Sequence, residues 1–465
     1  MSENTQTISA DLAADSSRRM LALAILVTMI GGFLFGYDTA VISGAVGFIR
    51  DHFHLDPVHE GWAGASAVLG CIPGTMCAGF LSDKFGRKPI LILCAILFAG
   101  SGIASALPRH FSEFIAARFV GGLGIGAASM ICPLYIAEIS PRKWRGRMGS
   151  MFQLGIVTGI FLVFFANLLI QRHGDLTWNQ NQGWRWMLGS ETLPAILFLI
   201  LLFLVPESPR WLAMNGQRDR ALEVFRHFVS GTEAETQMSE LANIAGEKEG
   251  RFSELFKSQF RMPLLIAIFL AILSQFSGIN AIMYYAPEVF RATGGSNDRA
   301  FASAVWVGAI NFVFTFVAIG LVDKAGRKPL LVVGATVQTV SLLAVAWLFH
   351  QHATGPAVLT CVLIFVAAFA MAMGPIPWIL ITEIFPARIR GRASSVGVFM
   401  IWVACFVVAQ TFPVLKNKWG PASTFAIYAI CSLLSVFFVL AMVPETKGRS
   451  LEEIEASWRK AGAET

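Results

Sequence analysis

Gly79–Pro89 reads GFLSDKFGRKP and Gly320–Pro329 reads GLVDKAGRKP, and this pair of stretches decides the fold. Asp83 and Asp323 stand 240 residues apart, and each is followed at the same offsets by Gly, Arg and Lys. Two further pairs keep nearly the same period. Glu138 in YIAEISPRKWRGR answers Glu383 in ITEIFPARIRGR, and Pro206-Glu207-Ser208 answers Pro444-Glu445-Thr446. A repeat of this length means two six-helix halves related by an axis along the membrane normal, with a substrate site between them.

Composition agrees: the chain is 55% hydrophobic and 14% charged, which excludes a soluble domain. Twelve apolar windows of about 20 residues begin near Met20, Trp62, Pro89, Phe111, Met148, Trp184, Arg261, Phe301, Lys328, Pro356, Ala393 and Pro421. The expected fold is therefore an all-α membrane protein of twelve transmembrane helices in two pseudo-symmetric six-helix halves, with a short cytoplasmic helical insert. The expected divisions are a disordered N-terminus (1–19), a first half (20–205), a helical linker (206–260), a second half (261–443) and a cytoplasmic tail (444–465). Thirteen Lys and Arg fall in the short loops on the side of the termini against six on the other, so the positive-inside rule places both termini in the cytoplasm. The net charge of +6 marks sidedness, not nucleic-acid binding. The seven Cys lie in or beside apolar spans without metal-ligand spacing and read as packing residues. With no catalytic triad, phosphate loop or metal cluster, an enzyme reading has nothing to stand on, and no cofactor is expected.

Polar residues inside apolar spans carry the functional reading, because a polar group facing lipid loses its water partners at a cost of several kcal/mol. The run Leu273–Phe290, LSQFSGINAIMYYAPEVF, holds Ser274, Gln275, Ser277, Asn280, Tyr284 and Tyr285. At about 3.6 residues per turn Gln275 lies well round the helix from Asn280 and Tyr284, so one ligand meets all three only if the helix breaks, for which Gly278 and Pro287 provide. The alternative is that these amides bridge to neighbouring helices. Asp38 in the first span and Arg118 in the fourth lie at similar depths, about 18 and 12 Å from the same side, where pairing lowers the burial cost of both. Gln153 in the fifth span is a further buried amide. The charged loops, with Asp83, Arg87, Glu138 and Arg145 in one half and Asp323, Arg327, Glu383 and Arg390 in the other, read as ion pairs latching the halves together on the inner side; simple topogenic charge is the other reading.

FGYDTAVISG, DKFGRKP, the stretch from Arg118 to Arg147, PESPRWL, QFSGINAIMYYAPEVF, DKAGRKP, GPIPW and PETKG stand in the order of the sugar porters of the major facilitator superfamily, which the chain resembles from Met20 to Leu451. It is most similar to the bacterial xylose/proton symporters, with the facilitative glucose carriers as relatives. The resemblance implies that Gln153, Gln275, Asn280, Asn311 and Trp378 contact a sugar, that Tyr284 and Trp402 line the same cavity, and that Asp38 carries a proton with Arg118 as its partner. Many members have two consecutive Gln where this chain has Ser274-Gln275, and Ile160 and Ile401 replace Gln of the xylose symporters, which puts the identity of the sugar in doubt. The expected activity is proton-coupled symport of a pentose or hexose by a monomer in the bacterial inner membrane. The partners are the monosaccharide, the proton and membrane lipid, with no nucleic acid. A passive sugar uniporter and a non-transporting sugar sensor stay open as alternatives.

Overall fold

The computed structural model describes the backbone of residues 2–141, 145–228, 231–244, 252–353 and 355–447; within these, the side chains of 2–18, 145–147, 231–232, 240–244, 252, 259, 323, 382 and 387–388 lie outside the description. Eleven helices among the described residues are long and apolar enough to cross a bilayer. They are α1 (Ser2–Phe53), α2 (Pro57–Phe85), α3 (Arg87–Ala106), α4 (Phe111–Ile139), α5 (Arg145–His173), α6 (Leu176–Leu204), α7 (Phe260–Arg291), α8 (Asn297–Ala325), α9 (Arg327–His350), α10 (Pro356–Ile381) and α11 (Ala387–Met442). The apolar part of α11 has 54 residues, about 80 Å of helix, more than twice the roughly 30 Å of a hydrocarbon core. It turns at Gly420, whose φ of 79° no other residue type adopts without strain, directly before Pro421. Eleven helices thus make the twelve expected crossings. The helical backbone of α1 starts at Ser2, through the stretch expected to be disordered, which has neither Gly nor Pro to stop a helix. Of the expected tail (444–465), the residues from 448 onward lie outside the described residues.

The bundle has a basic face, where α2 meets α3 and α8 meets α9, and a far face at the opposite helix ends. On the basic face the sequence repeat becomes a structural one. Gly86 (φ 102°) and Gly326 (φ 92°) turn the chain between helices with no further residue. The exposed N–H groups at the start of α3 are capped by the Glu207 carboxylate, which accepts from Arg87 N at 2.9 Å and Lys88 N at 3.2 Å. Glu445 does the same for α9, accepting from Arg327 N and Lys328 N at 3.1 Å each. A carboxylate is well placed there, where unpaired N–H groups and the helix dipole both favour negative charge. Burial pushes the Glu207 carboxyl up against the pull of its backbone donors, whereas at the more exposed Glu445 the donors prevail and hold it down.

In this state the arginines next to these turns pair within their own halves. Arg87 donates in a fork to Glu138, Nε to Oε2 and Nη2 to Oε1 at 3.0 Å each, and its Nη1 sits 3.1 Å from Asp83. Ser208 Oγ donates to the same Glu138. In the other half Arg327 Nη2 donates to Glu383 at 3.0 Å, and Thr446 Oγ1 donates to Glu383 at 2.6 Å. Arg390 donates through Nε to its own half's Phe385 carbonyl. Each of these bonds ties one half to itself instead of latching two halves together; the side chains of Arg145 and Asp323 lie outside the described residues. An acid at the end of the next helix in the same bundle is already at bonding distance, so in this state each copy of the repeat forms a bracket within its own half.

Between the halves, α1 packs on the last part of α7, α2 on α11, and α5 on α8. Contact across the halves at the far face is close: Gln410 Nε2 donates to the Val58 carbonyl at 3.0 Å, and Tyr285 Oη lies 3.5 Å from the Glu60 carbonyl. The brackets differ in exposure, and stability should report it. Glu138 is 3% exposed but Glu383 is 26% exposed. Arg87→Ala is expected to cost about 3 kcal/mol by stranding a buried carboxylate, and Arg327→Ala about 1 kcal/mol, read as the drop in thermal unfolding midpoint of the purified protein.

Candidate functional site

The polar run of α7 is where its helix breaks. Ser258–Phe276 ends at Ser277, and Ile279–Arg291 restarts after Gly278, which adopts the left-handed φ of 83°. A Cβ at 278 would lie 2.4 Å from the Tyr428 ring, so conformation and space both demand glycine. The break swings the second segment so that Asn280 Nδ2 donates to Gln275 Oε1 at 2.6 Å, bringing together two amides that a straight helix would hold apart. Gln275 Nε2 donates in turn to Ser274 Oγ at 3.0 Å. Tyr284 is buried with its hydroxyl 3.4 Å from Cys405 Sγ of α11. Tyr285 departs from helical geometry with φ −128°, two residues before Pro287.

Asp38 and Arg118 form the pair their depths require. Both are buried, at 0% and 2% exposure, and Arg118 Nη1 donates to Asp38 Oδ1 while its Nη2 donates to the Asp38 carbonyl at 2.9 Å. Asp38 Oδ2 accepts from no donor among the described residues. A second acid, Glu191 at the turn inside α6, is fully buried, likewise meets no donor among the described residues, and lies close enough to Asp38 for a hydrogen bond between the two carboxyls when one is protonated, with Arg118 also within electrostatic reach. Sequence reasoning missed Glu191. The signal was an acid in an apolar span, the same one that singled out Asp38.

This charge cluster adjoins the polar wall of α7. Cys71 of α2 lies near Asp38, Arg118 and Cys405, and Tyr284 lies near Cys71 and Arg118 as well as Cys405. Trp402 of α11 is buried against Phe35 of α1, ring centroids 5.6 Å apart, with its Nε1 unpaired. Asn311 is buried in α8, Gln153 half-buried in α5, and Trp378 half-buried beside the two prolines of α10. None of these three is directly hydrogen-bonded to the Gln275–Asn280 pair among the described residues, so the structure joins Gln275, Asn280 and Ser274 directly and leaves the others on separate helices. No group of His, Cys, Asp and Glu among the described residues is placed to hold a metal ion. What the arrangement offers chemically is a set of neutral donors and acceptors beside one ion pair with an unpaired acid oxygen.

Residues 24–458 match the family model described as sugar (and other) transporter. The chain is 41% identical over 433 residues to the arabinose-proton symporter of Bacillus subtilis, covering 93% of each chain. It is 40% identical over 468 residues to the D-xylose-proton symporter of Escherichia coli K12, covering 93% of this chain and 94% of the other. Among solved structures it superimposes on the inward open conformation of the xylose transporter XylE from E. coli with a TM-score of 0.85 at 38% identity, covering 94% of this chain and 100% of the other. Against the same proton:xylose symporter bound to 6-bromo-6-deoxy-D-glucose the TM-score is 0.78 at 38% identity, covering 95% and 100%.

The α7 break should be testable apart from any ligand. Gly278→Ala is expected to lose at least about 1–2 kcal/mol of stability from the left-handed backbone alone, more from the Tyr428 ring, and Tyr428→Leu in the same protein should restore part of it. A thermal midpoint for Gly278→Ala equal to the parent's would mean that the break does not depend on this glycine.

Proposed function

Because this chain belongs to the sugar porter family of the major facilitator superfamily, a family of multi-pass membrane transporters and not of enzymes, we propose that it carries a monosaccharide into the cell with a proton by alternating access. The observation that carries the reading is the buried Asp38–Arg118 pair, placed beside the wall that Tyr284 shares with Gln275 and Asn280. The relatives' sugars, arabinose and xylose, support a monosaccharide substrate, a pentose before a hexose.

In this reading the sugar enters between the halves and its hydroxyls take over bonds that the amides now make to each other. Gln275 and Asn280 give up their mutual bond to bind hydroxyls, Gln153, Asn311 and Trp378 supply further donors and acceptors, and Tyr284 and Trp402 face the ring. Asp38 takes the proton at Oδ2, the oxygen left without a partner. Protonation removes the negative charge that holds Arg118, and Glu191 is then the acid left within its reach. A change in the distances among these three groups between the two faces of the cycle is what would load and unload the proton. The basic face lies in the cytoplasm by the positive-inside rule, with both termini there and the protein in the bacterial inner membrane as a monomer. The likeness to an inward open relative and the far-face contacts support a state that opens to the cytoplasm. Ser274 in place of a second amide leaves one fewer hydroxyl partner and sets the sugar preference.

Uptake into proteoliposomes tests this. One proton moved through 100 mV supplies about 2.3 kcal/mol, sufficient for roughly a 50-fold sugar gradient. Wild-type protein is expected to accumulate one of a panel of labelled pentoses and hexoses when a proton gradient is imposed. Asp38→Asn, which imitates the permanently protonated acid, should retain sugar exchange and lose accumulation. Accumulation by that variant would overturn the role of Asp38, and a wild type that only equilibrates sugar would make the protein a passive carrier. At the sugar wall, Gln275→Ala should weaken binding by roughly 5- to 150-fold, the loss of one buried hydrogen bond; unchanged affinity would remove Gln275 from the site.

A further inference from the structure

We infer that the device holding the halves together in this state is an ion cluster on the far face, centred on Arg50 and Glu288, and that it sets the balance between the two faces of the transport cycle. Arg50 belongs to α1 and Glu288 to α7, and Arg50 Nη1 donates to Glu288 Oε2 at 3.0 Å. The acid is nearly buried, with a side chain 7% exposed, and its second oxygen lies 2.7 Å from Arg291 Nη1. Arg50 also faces Glu60 of α2 at 3.7 Å and Asp51 at 3.0 Å, and Lys416 of α11 interacts electrostatically with Glu60 and Glu288. Gly47 makes room for the clamp: a Cβ there would lie 2.0 Å from Glu288 Oε1. Arg172 of α5 pairs with Asp298 of α8 at the same face, but that pair is about half exposed and therefore weak.

The placement makes the cluster a latch and not a mere fastening. Opening the far face must part α1 from the last segment of α7, which would separate Arg50 from Glu288 and leave both to water. The brackets at Arg87 and Arg327 lie within single halves and persist through the same motion. The clamp therefore favours one face of the cycle and opposes the other, which is the differential interaction that shifts a two-state equilibrium. The inference rests on the alternating-access reading above, and not on proton coupling.

The test uses the full-length protein in lipid nanodiscs, with Cys77, Cys361 and Cys431 replaced by Ser and spin labels at Val58→Cys and Ala292→Cys, one on each half of the far face. Pulsed dipolar spectroscopy reads their separation. Arg50→Gln and Glu288→Gln are expected to raise the population at longer separation by about 5- to 10-fold, whereas Arg50→Lys should match the parent. Gly47→Ala, which displaces the Glu288 carboxylate with every charge kept, should shift the distribution the same way and serves if a charge variant does not fold. Unchanged distances in Arg50→Gln, or a shift in Arg50→Lys as large as in Arg50→Gln, would overturn the latch. A wild type that fails to accumulate sugar would sink proton coupling and leave these distances as valid as before.

Discussion

A bilayer core has no water to lend, so each polar group in this chain must find its partner in the chain or exist for something that arrives. Most find one. Thr28, Thr158 and Thr339 donate to the carbonyl one turn back, Gln275 and Asn280 bond each other, and Asp38 and Arg118 cancel each other's charge. Among the buried groups left unsatisfied are Asp38 Oδ2, both oxygens of Glu191 and Trp402 Nε1. Unmade hydrogen bonds in a low-dielectric interior are expensive, and here several of them gather around one place. The proposed function takes Asp38, Glu191 and Trp402 from that list.

This accounting also explains what was legible beforehand. The twelve crossings, the two halves and the break at Gly278 follow from apolar length, a repeat and a glycine among misplaced polar residues, each a local pattern with a physical cause. Asp38 and Arg118 were legible because charges deep in apolar spans are costly. Glu191 met the same criterion, seven residues into the span that begins near Trp184, and could have been read by it. Glu60 and Glu288 were a different matter: they stand within a turn or so of the span ends, where charged residues are commonplace, and no one-dimensional pattern distinguishes a buried clamp from topogenic charge.

The brackets at Arg87 and Arg327 show a second limit of reading along the chain. Matching acids and bases in two halves invite pairing across them, but pseudo-symmetry places each acid equally near the base of its own half. Glu138 lies beside Arg87 and Glu383 beside Arg327, each acid and base within one bundle. Duplication therefore argues for a motif that stabilises each copy, as the helix-capping Glu207 and Glu445 do.

The turns at Gly86 and Gly326 have a mechanical side. A single residue joins α2 to α3 and α8 to α9, and Gly420 joins the last two crossings without a loop at all. None of these joints holds spare chain, so a tilt imposed on one helix passes to its neighbour undiminished. Between Leu204 and Ser258, by contrast, about fifty residues connect the bundles, with the short helices Pro209–Met214, Arg218–Arg226 and Gly231–Ile244 among those described, and lengthening a tether of that size costs little entropy. The slack in this molecule is thus concentrated at one seam. Each bundle behaves as a stiff body on a loose strap, and it is the faces that touch, and not the strap, that govern which way the molecule rocks.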